Sequence, residues 1–317
     1  MTTAVTEYVP PAASAGRSLW YDAWLRYRRN KLAMLMLVIV LVYVAVGIAV
    51  AAGWLAADWK QSVGPAYAKP AWSTRDPDTQ QVRIVAGWMG TDIFGQSVFR
   101  KMIYGTKISL SVAFFASLLS IGIGVPMGAA AGFFRGIVDE VIVWLYSTLS
   151  SIPGLLLILA FAYALQSTSL FGHKLTGITS VYLALGLTSW VGLCRLIRGE
   201  VIKHKDRDYV TAATAYGASK TRIIFRHVIP NVTHLILIDF SLRFVGFIHA
   251  EVILSFLGLG AKNEPSWGVM IDDARLELSR GYWWQMTAAT LAIFGISLAL
   301  NIAGDALRDA LDPKIRT

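Results

Sequence analysis

Charge is scarce in this sequence. Asp, Glu, Lys and Arg make up 15% of its 317 residues and hydrophobic residues 55%, against roughly a quarter charged in a soluble domain, so most of the surface must meet something other than water. Cysteine is scarcer still. Cys194 stands alone, which excludes an internal disulfide and leaves the redox compartment unreadable. The five histidines, His173, His204, His227, His234 and His249, are scattered, and no set of Cys and His has metal-ligand spacing. Neither a metal nor a cofactor is expected in this chain. No G-x-x-x-x-G-K-[ST] stretch exists; the nearest, "GASKT" at 217–221, lacks the glycine before the lysine, so ATP hydrolysis is not expected either. No segment gathers a Ser/His/Asp set or paired acids, so no residue is assigned a catalytic role. Residues 1–16 are polar and lack a cleavable apolar core, and the run after them is too long for a signal peptide, which predicts a retained anchor.

What is there is a series of long apolar runs. A spanning helix needs roughly 20 mostly apolar residues, because inside hydrocarbon the backbone must satisfy its own hydrogen bonds. Six segments qualify, at about 32–55, 108–134, 141–165, 179–197, 232–257 and 285–304. The expected fold is all-α, a polytopic bundle of six transmembrane helices. With the N-terminus inside, the inner pieces hold 17 of the 29 basic residues and the outer pieces 11, which favours cytoplasmic N- and C-termini. The chain then divides into a cytoplasmic segment 1–31, a first span 32–55, an outer segment 56–107, a five-helix core 108–304 and a cytoplasmic tail 305–317. In the second span Gly124, Gly128 and Gly132 recur every four residues, a smooth stripe on which a neighbouring helix can pack closely. Pro126 between them predicts a kink.

Asp239, Arg243 and Glu251 fall inside the run at 232–257, where each is a functional candidate by its cost. Asp239 and Arg243 are four apart, the spacing at which opposite charges meet on a helix, and they read either as a self-neutralising pair or as part of a translocation path. Glu251 has no basic residue three or four positions away. It needs a partner helix or water, and a path-lining role is one of the two.

The longest inner segment is polar. From Asp208 it reads as a short helix capped by Asp208, a stop at Gly217, and a second helix capped by Ser219 and ended by Pro230. Thr211, Ala212, Ala213 and Ala215 make a small-residue surface that admits another protein's backbone, and Ile223, Ile224, Val228 and Ile229 make an apolar side. A loop that only rested on lipid would want long apolar residues instead.

"AA" (Ala212, Ala213), three residues, Gly217, nine residues and then H-V-I-P (His227 to Pro230) resembles the EAA motif of importer-type ABC transporter permeases. More widely, "GTDIFGQSVFRKMIYGTKISL" (90–110), "EVILSFLGLG" with "EPSWGVMI" (251–271) and "NIAGDALRDALDP" (301–313) are similar to the second permease subunit of dipeptide, oligopeptide and nickel importers, over residues 19 to 313. The resemblance implies a type I importer (MetI-like) permease fold in a bacterial or archaeal inner membrane. It implies that Asp208, Tyr209, Thr211, Ala212, Ala213, Gly217, Ala218, Ser219, Arg222 and Pro230 form the unit that couples to an ATPase. The implied partners are a homologous second permease in a heterodimer, two ATP-binding subunits that hold the ATP and Mg, a periplasmic or lipid-anchored substrate-binding protein, and membrane lipid, with no nucleic acid. Thr211 stands where the family's motif has glutamate, and Gln96-Ser97 where an Arg-Asp pair is usual.

Outside the membrane, Trp59, Tyr67, Trp72 and Trp88 accompany Pro65, Pro70 and Pro77 in a segment that reads as a docking surface or as an interfacial aromatic cap. Residues 259–284 predict a short amphipathic helix carrying Trp267, Asp272, Asp273 and Glu277, whose acidic face meets a binding protein or water. Asp92, Trp267, Asp272 and Asp273 are the residues the resemblance offers for contact with a binding protein. The competing reading of the whole chain is an ion-coupled secondary transporter using Glu251 and Asp239, although the sequence shows no internal repeat in its favour.

Overall fold

The computed structural model describes residues 19–70, 74–75, 82–83, 88–170, 173–175, 177–260 and 264–311. Expectations placed on residues 1–16, on the tail beyond 311, and on Trp72 and Pro77 lie outside them. The described residues are helical almost throughout: α1(Leu19–Arg29), α2(Lys31–Ala51), α3(Val98–Phe134), α4(Gly136–Ser150), α5(Gly154–Gln166), α6(Ile178–Lys205), α7(Asp208–Ala215), α8(Lys220–Ile223), a π-helical turn Ile224–Val228, α9(Ile229–Phe256), α10(Trp267–Leu278) and α11(Trp284–Leu311). Two antiparallel ladders of two residues per strand, β1(Thr74–Arg75) with β2(Val82–Arg83) and β3(Ser169–Leu170) with β4(His173–Lys174), lie in the connections.

Each of the six apolar runs coincides with helix, and by length and composition four or five of them qualify as spans. Among the described residues four helices are long and apolar enough to cross a membrane, α2, α3, α6 and α11. A fifth span exists if α4 and α5, bent by 92°, are taken as one. The break falls at Ser151-Ile152-Pro153, where proline offers no amide proton to continue the α4 ladder. The run at 232–257 is α9, which is not among the four; Asp239, Arg243 and Glu251 interrupt its apolar character. α3 also starts ten residues before the expected 108, with the Ser97 hydroxyl accepting from the Arg100 amide as its N-cap.

The glycine stripe is the seam of the bundle. A Cβ added at Gly124 would lie 2.9 Å from the Trp190 carbonyl, at Gly128 2.5 Å from that of Cys194, and at Gly132 2.7 Å from that of Arg198. Both sets advance by four in the same direction, so α3 and α6 run parallel with their backbones nearly touching. Without a hydrophobic drive between helices in lipid, such close packing is what holds them. α3 continues unbroken through Pro126.

Candidate functional site

The polar interruption folds as helix, turn, helix at one end of the bundle. α7 ends in a Schellman arrangement: Ala218 N–H donates to Ala213 O at 3.1 Å and Gly217 N–H to Thr214 O at 2.9 Å, with Gly217 at φ +77°. That conformation suits glycine, and beyond it nothing lies within 4 Å of where a Gly217 side chain would stand. Ser219 caps α8 as expected, its Oγ accepting from the Arg222 amide at 3.3 Å. Two local expectations are corrected. Asp208 is the first residue of α7 and makes no capping bond; Arg207 holds the cap position. Pro230 does not end the second helix but sits in the first turn of α9. The π turn just before it, closed by Ile229 N–H to Ile224 O, widens the backbone where a proline ring would clash with the carbonyl four residues back.

The two faces of this unit separate as their side chains require. Val210, Ile223, Ile224 and Val228 are buried with Val125, Ala129, Phe133, Leu193, Ile197 and Val201, so the branched face is seated on α3 and α6. Thr211, Ala212, Gly217, Ser219, Arg222, Asp208 and Pro230 are exposed, and Tyr209, Ala213 and Ala218 are half-buried. The Tyr209 hydroxyl meets His204 Nδ1 at 2.7 Å, and burial holds its phenol above the usual value. Tyr216, at the apex, is 92% exposed. A cleft of about 540 Å³ opens between Phe133 and Phe134 at the end of α3 and the α7–α8 pair, with Lys205 and Lys220 on its lining. Lys205 is anchored there by donating to the Phe133 carbonyl at 2.7 Å. The helices on either side are braced: Arg198 of α6 grips Asp139 of α4 with bonds of 2.6 and 2.7 Å, bidentate pairing that fixes orientation as well as distance.

The intramembrane charges are spent inside the bundle. Arg243 Nε pairs with Asp239, and Arg243 Nη1 donates to Ser189 O of α6 at 2.6 Å. A side chain at Gly192 would meet the same guanidinium, so the glycine is the space Arg243 occupies. Glu251 takes the partner-helix branch of the two the sequence left open. It is 2% exposed and accepts from Ser255 at 2.8 Å, Ser266 at 2.6 Å and Ser109 at 3.2 Å. Nothing in its burial places it on the wall of a path.

On the other end of the bundle, the candidate docking residues divide. Asp92 is buried, accepting from the Phe94 and Gln96 amides at 2.9 and 2.8 Å and pairing with Lys101. Trp267 is fully buried, donating from Nε1 to Met102 O at 3.0 Å. Only Asp273, exposed, and Asp272, half-buried, remain where a partner can touch them. Tyr67 stacks on Tyr282 at 4.1 Å and Trp59 meets Tyr104 at 5.4 Å, which ties the stretch after α2 down onto α3 and the entry to α11. Glu277, which the sequence placed with Asp272 and Asp273 on an acidic face open to a partner or to water, is instead turned inward. It is 5% exposed against the Asp92–Lys101 pair, and burial, with Asp92 and Asp273 nearby, pushes its carboxyl up to about 7.

Residues 124–317 match the family described as the binding-protein-dependent transport system inner membrane component, and residues 18–79 match the N-terminal TM domain of oligopeptide transport permease C. The chain is 34% identical over 298 residues to the dipeptide transport system permease protein DppC of Bacillus subtilis (strain 168), covering 93% of this chain and 86% of that protein. It is 31% identical over 320 residues to the oligopeptide transport system permease protein OppC of the same organism, covering 98% and 97%. The glutathione transport system permease protein GsiD of Escherichia coli O6:K15:H31 is 33% identical over 301 residues, covering 95% and 92%. Among solved structures, the inward-facing MetNI methionine ABC transporter superposes with a TM-score of 0.51 at 15% identity, covering 67% of this chain and 96% of that one, a likeness of fold.

Proposed function

This chain belongs to the family of binding-protein-dependent transport system inner membrane components, and from that premise we propose that it is the permease subunit of an ATP-driven importer of peptides or peptide-like cargo, driven through residues 208–230. The observation that carries the coupling assignment is the division of the helix pair into a branched face seated on α3 and α6 and a small, exposed face around Ala212 and Gly217. A partner ATPase is the occupant that this shape suits: a rigid projection with little side-chain bulk, fixed to α6 on one side and running into α9 on the other. Moving the pair moves both helices.

The partners of this reading are a homologous second permease, two ATP-binding subunits and a substrate-binding protein. ATP and Mg belong to the ATP-binding subunits, and this chain contributes no catalysis. Its N- and C-termini face the cytoplasm with the coupling pair, and cargo is handed over at the α10 end, where Asp272 and Asp273 are accessible. Peptide cargo follows from the names of its relatives, the dipeptide, oligopeptide and glutathione permeases. The ion-coupled alternative loses its residues, since Asp239 and Glu251 are both engaged within the bundle.

Gly217→Arg tests the reading. In the assembled transporter, uptake and retention of the ATP-binding subunits are lost while the chain still inserts in the membrane. Uptake that persists unchanged, or uptake by this chain with no ATP-binding subunit present, contradicts the assignment.

A further inference from the structure

The seam between α1, α2, α9 and α11 holds an apolar groove that transport as described does not use. Its first part, about 340 Å³, is lined by Trp24, Tyr27, Leu37, Phe240 and Leu307 among others. The groove continues as a second part of about 470 Å³ toward Gly47 and Ala51, and the two parts share Val40, Phe240, Ser241 and Leu300. The two hydroxyls along the first part are already bonded: Ser241 Oγ donates to Ile238 O at 2.8 Å and the Tyr27 hydroxyl to Ala33 O at 3.3 Å. The second part is walled on one side by α3, which brings Lys107 and Ser111 to it beside Leu110, Phe114 and Phe115; the rest of the lining is hydrocarbon in character. From Leu37 to Ala51 the groove follows α2 for about 20 Å at 1.5 Å per residue, longer than the roughly 15 Å of one leaflet's hydrocarbon.

The mouth of the groove has a different chemistry. α1 is an amphipathic helix with Arg26, Arg28 and Arg29 in its last turn, and Lys31 opens α2. Arg28, Arg29 and Lys31 are exposed. Trp24, 48% exposed, stacks on Tyr27 at 6.2 Å and lies four residues before Arg28, so the ring at the groove and a cation share one face of α1. Aromatic rings and cations at this level are how helices meet lipid headgroups. α1 packs with the end of α11 through Ala23, Tyr27 and Ala310, so the helix that carries these cations, and that lines the groove through Ala23, Trp24 and Tyr27, is fixed at the groove's end by folded structure.

We propose that this groove is a site for one anionic phospholipid, its acyl chain lying along α2 between α9 and α11 and its phosphate held by Arg28, Arg29 and Lys31. The occupant is argued from charge: a second protein helix would fill the apolar seam without any need for three exposed cations at its mouth, whereas an anionic headgroup gains from each of them.

The assembled transporter, purified in mild detergent and titrated with phosphatidylglycerol or phosphatidylcholine under native mass spectrometry, tests this. Phosphatidylglycerol binds about tenfold or more tightly, in line with roughly 1 kcal/mol per basic residue near a charged headgroup. The double substitution Arg28→Glu, Arg29→Glu, at exposed positions, abolishes the preference. Ala303→Phe, which fills the groove, weakens both lipids together. Equal binding of the two lipids by the unaltered protein, a preference that survives the charge reversal, or cross-linking of Trp24→Cys to the second permease subunit would overturn the proposal.

Discussion

Ser266 Oγ donates to the Glu251 carboxylate at 2.6 Å and accepts from the Val269 amide at 3.1 Å, so one hydroxyl both caps α10 and fastens it to α9. Ser109 extends the cluster to α3, giving to Glu251 at 3.2 Å and taking from the Trp267 amide at 3.3 Å. Ser266→Ala therefore loses a cap, typically about 1 kcal/mol, and leaves a buried carboxylate oxygen short of a donor, about 1–3 kcal/mol more. Thermal unfolding in detergent should show a lower midpoint than Ser279→Ala, whose exposed hydroxyl only bonds the preceding turn.

The glycine seam makes a paired prediction. Gly128→Ala puts a methyl 2.5 Å from the Cys194 carbonyl, backbone that cannot step aside, whereas a methyl at Gly122 on the same helix meets nothing within 4 Å. Overpacking of this kind costs about 1–3 kcal/mol. Expression and melting of the two variants in detergent should differ accordingly, with Gly122→Ala indistinguishable from the parent.

Arg243 and Asp239 are expected to be non-additive. Removing either partner alone leaves the other poorly matched among apolar helices, which is strongly destabilising, while removing both is milder than the sum. A double-mutant cycle with Asp239→Ala and Arg243→Ala, read by thermal melting, checks this. Gly192→Ala should behave like a weakened Arg243 variant, because the new methyl takes the guanidinium's place.

Glu277 gives the α10 end of the bundle a pH dependence. Its carboxyl titrates near 7 in the folded chain against an ordinary 4.5, chiefly through burial. A raised value means that the folded state holds the proton more tightly than the unfolded one. The associated stability is full below about pH 4.5 and is lost as pH rises through about 7. Melting measured across this window should fall with pH in the parent and flatten in Glu277→Gln.

Much of this was readable from spacing within single helices. Asp239 and Arg243 are four apart and do pair, the Gly124–Gly132 period does mark a close seam, and the Gly217 stop is where the sequence puts it. What could not be read depends on partners distant in the chain. Ser109 lies 142 positions before Glu251, and serine is too common in membrane helices to signal a buried carboxylate. Asp92 looked like a surface acid because Lys101, which neutralises it, lies across a loop-to-helix junction where no periodicity links them. Pro230 looked like a terminator because a proline usually is one, and a π turn is a tertiary accommodation that leaves no mark in the sequence. The 92° bend between α4 and α5 hid inside a run apolar enough to pass for one span.

The central claim is that the small face of α7 meets an ATP-binding subunit on the inner side of the membrane. With the sole native cysteine, Cys194, buried, Ala212→Cys presents the one accessible thiol, and a short bifunctional thiol reagent applied to the assembled transporter reads its neighbour directly. The account predicts a cross-linked product with the ATP-binding subunit and protection of that thiol from a membrane-impermeant reagent added outside intact cells. Labelling from outside, or a product with the substrate-binding protein in its place, would contradict it.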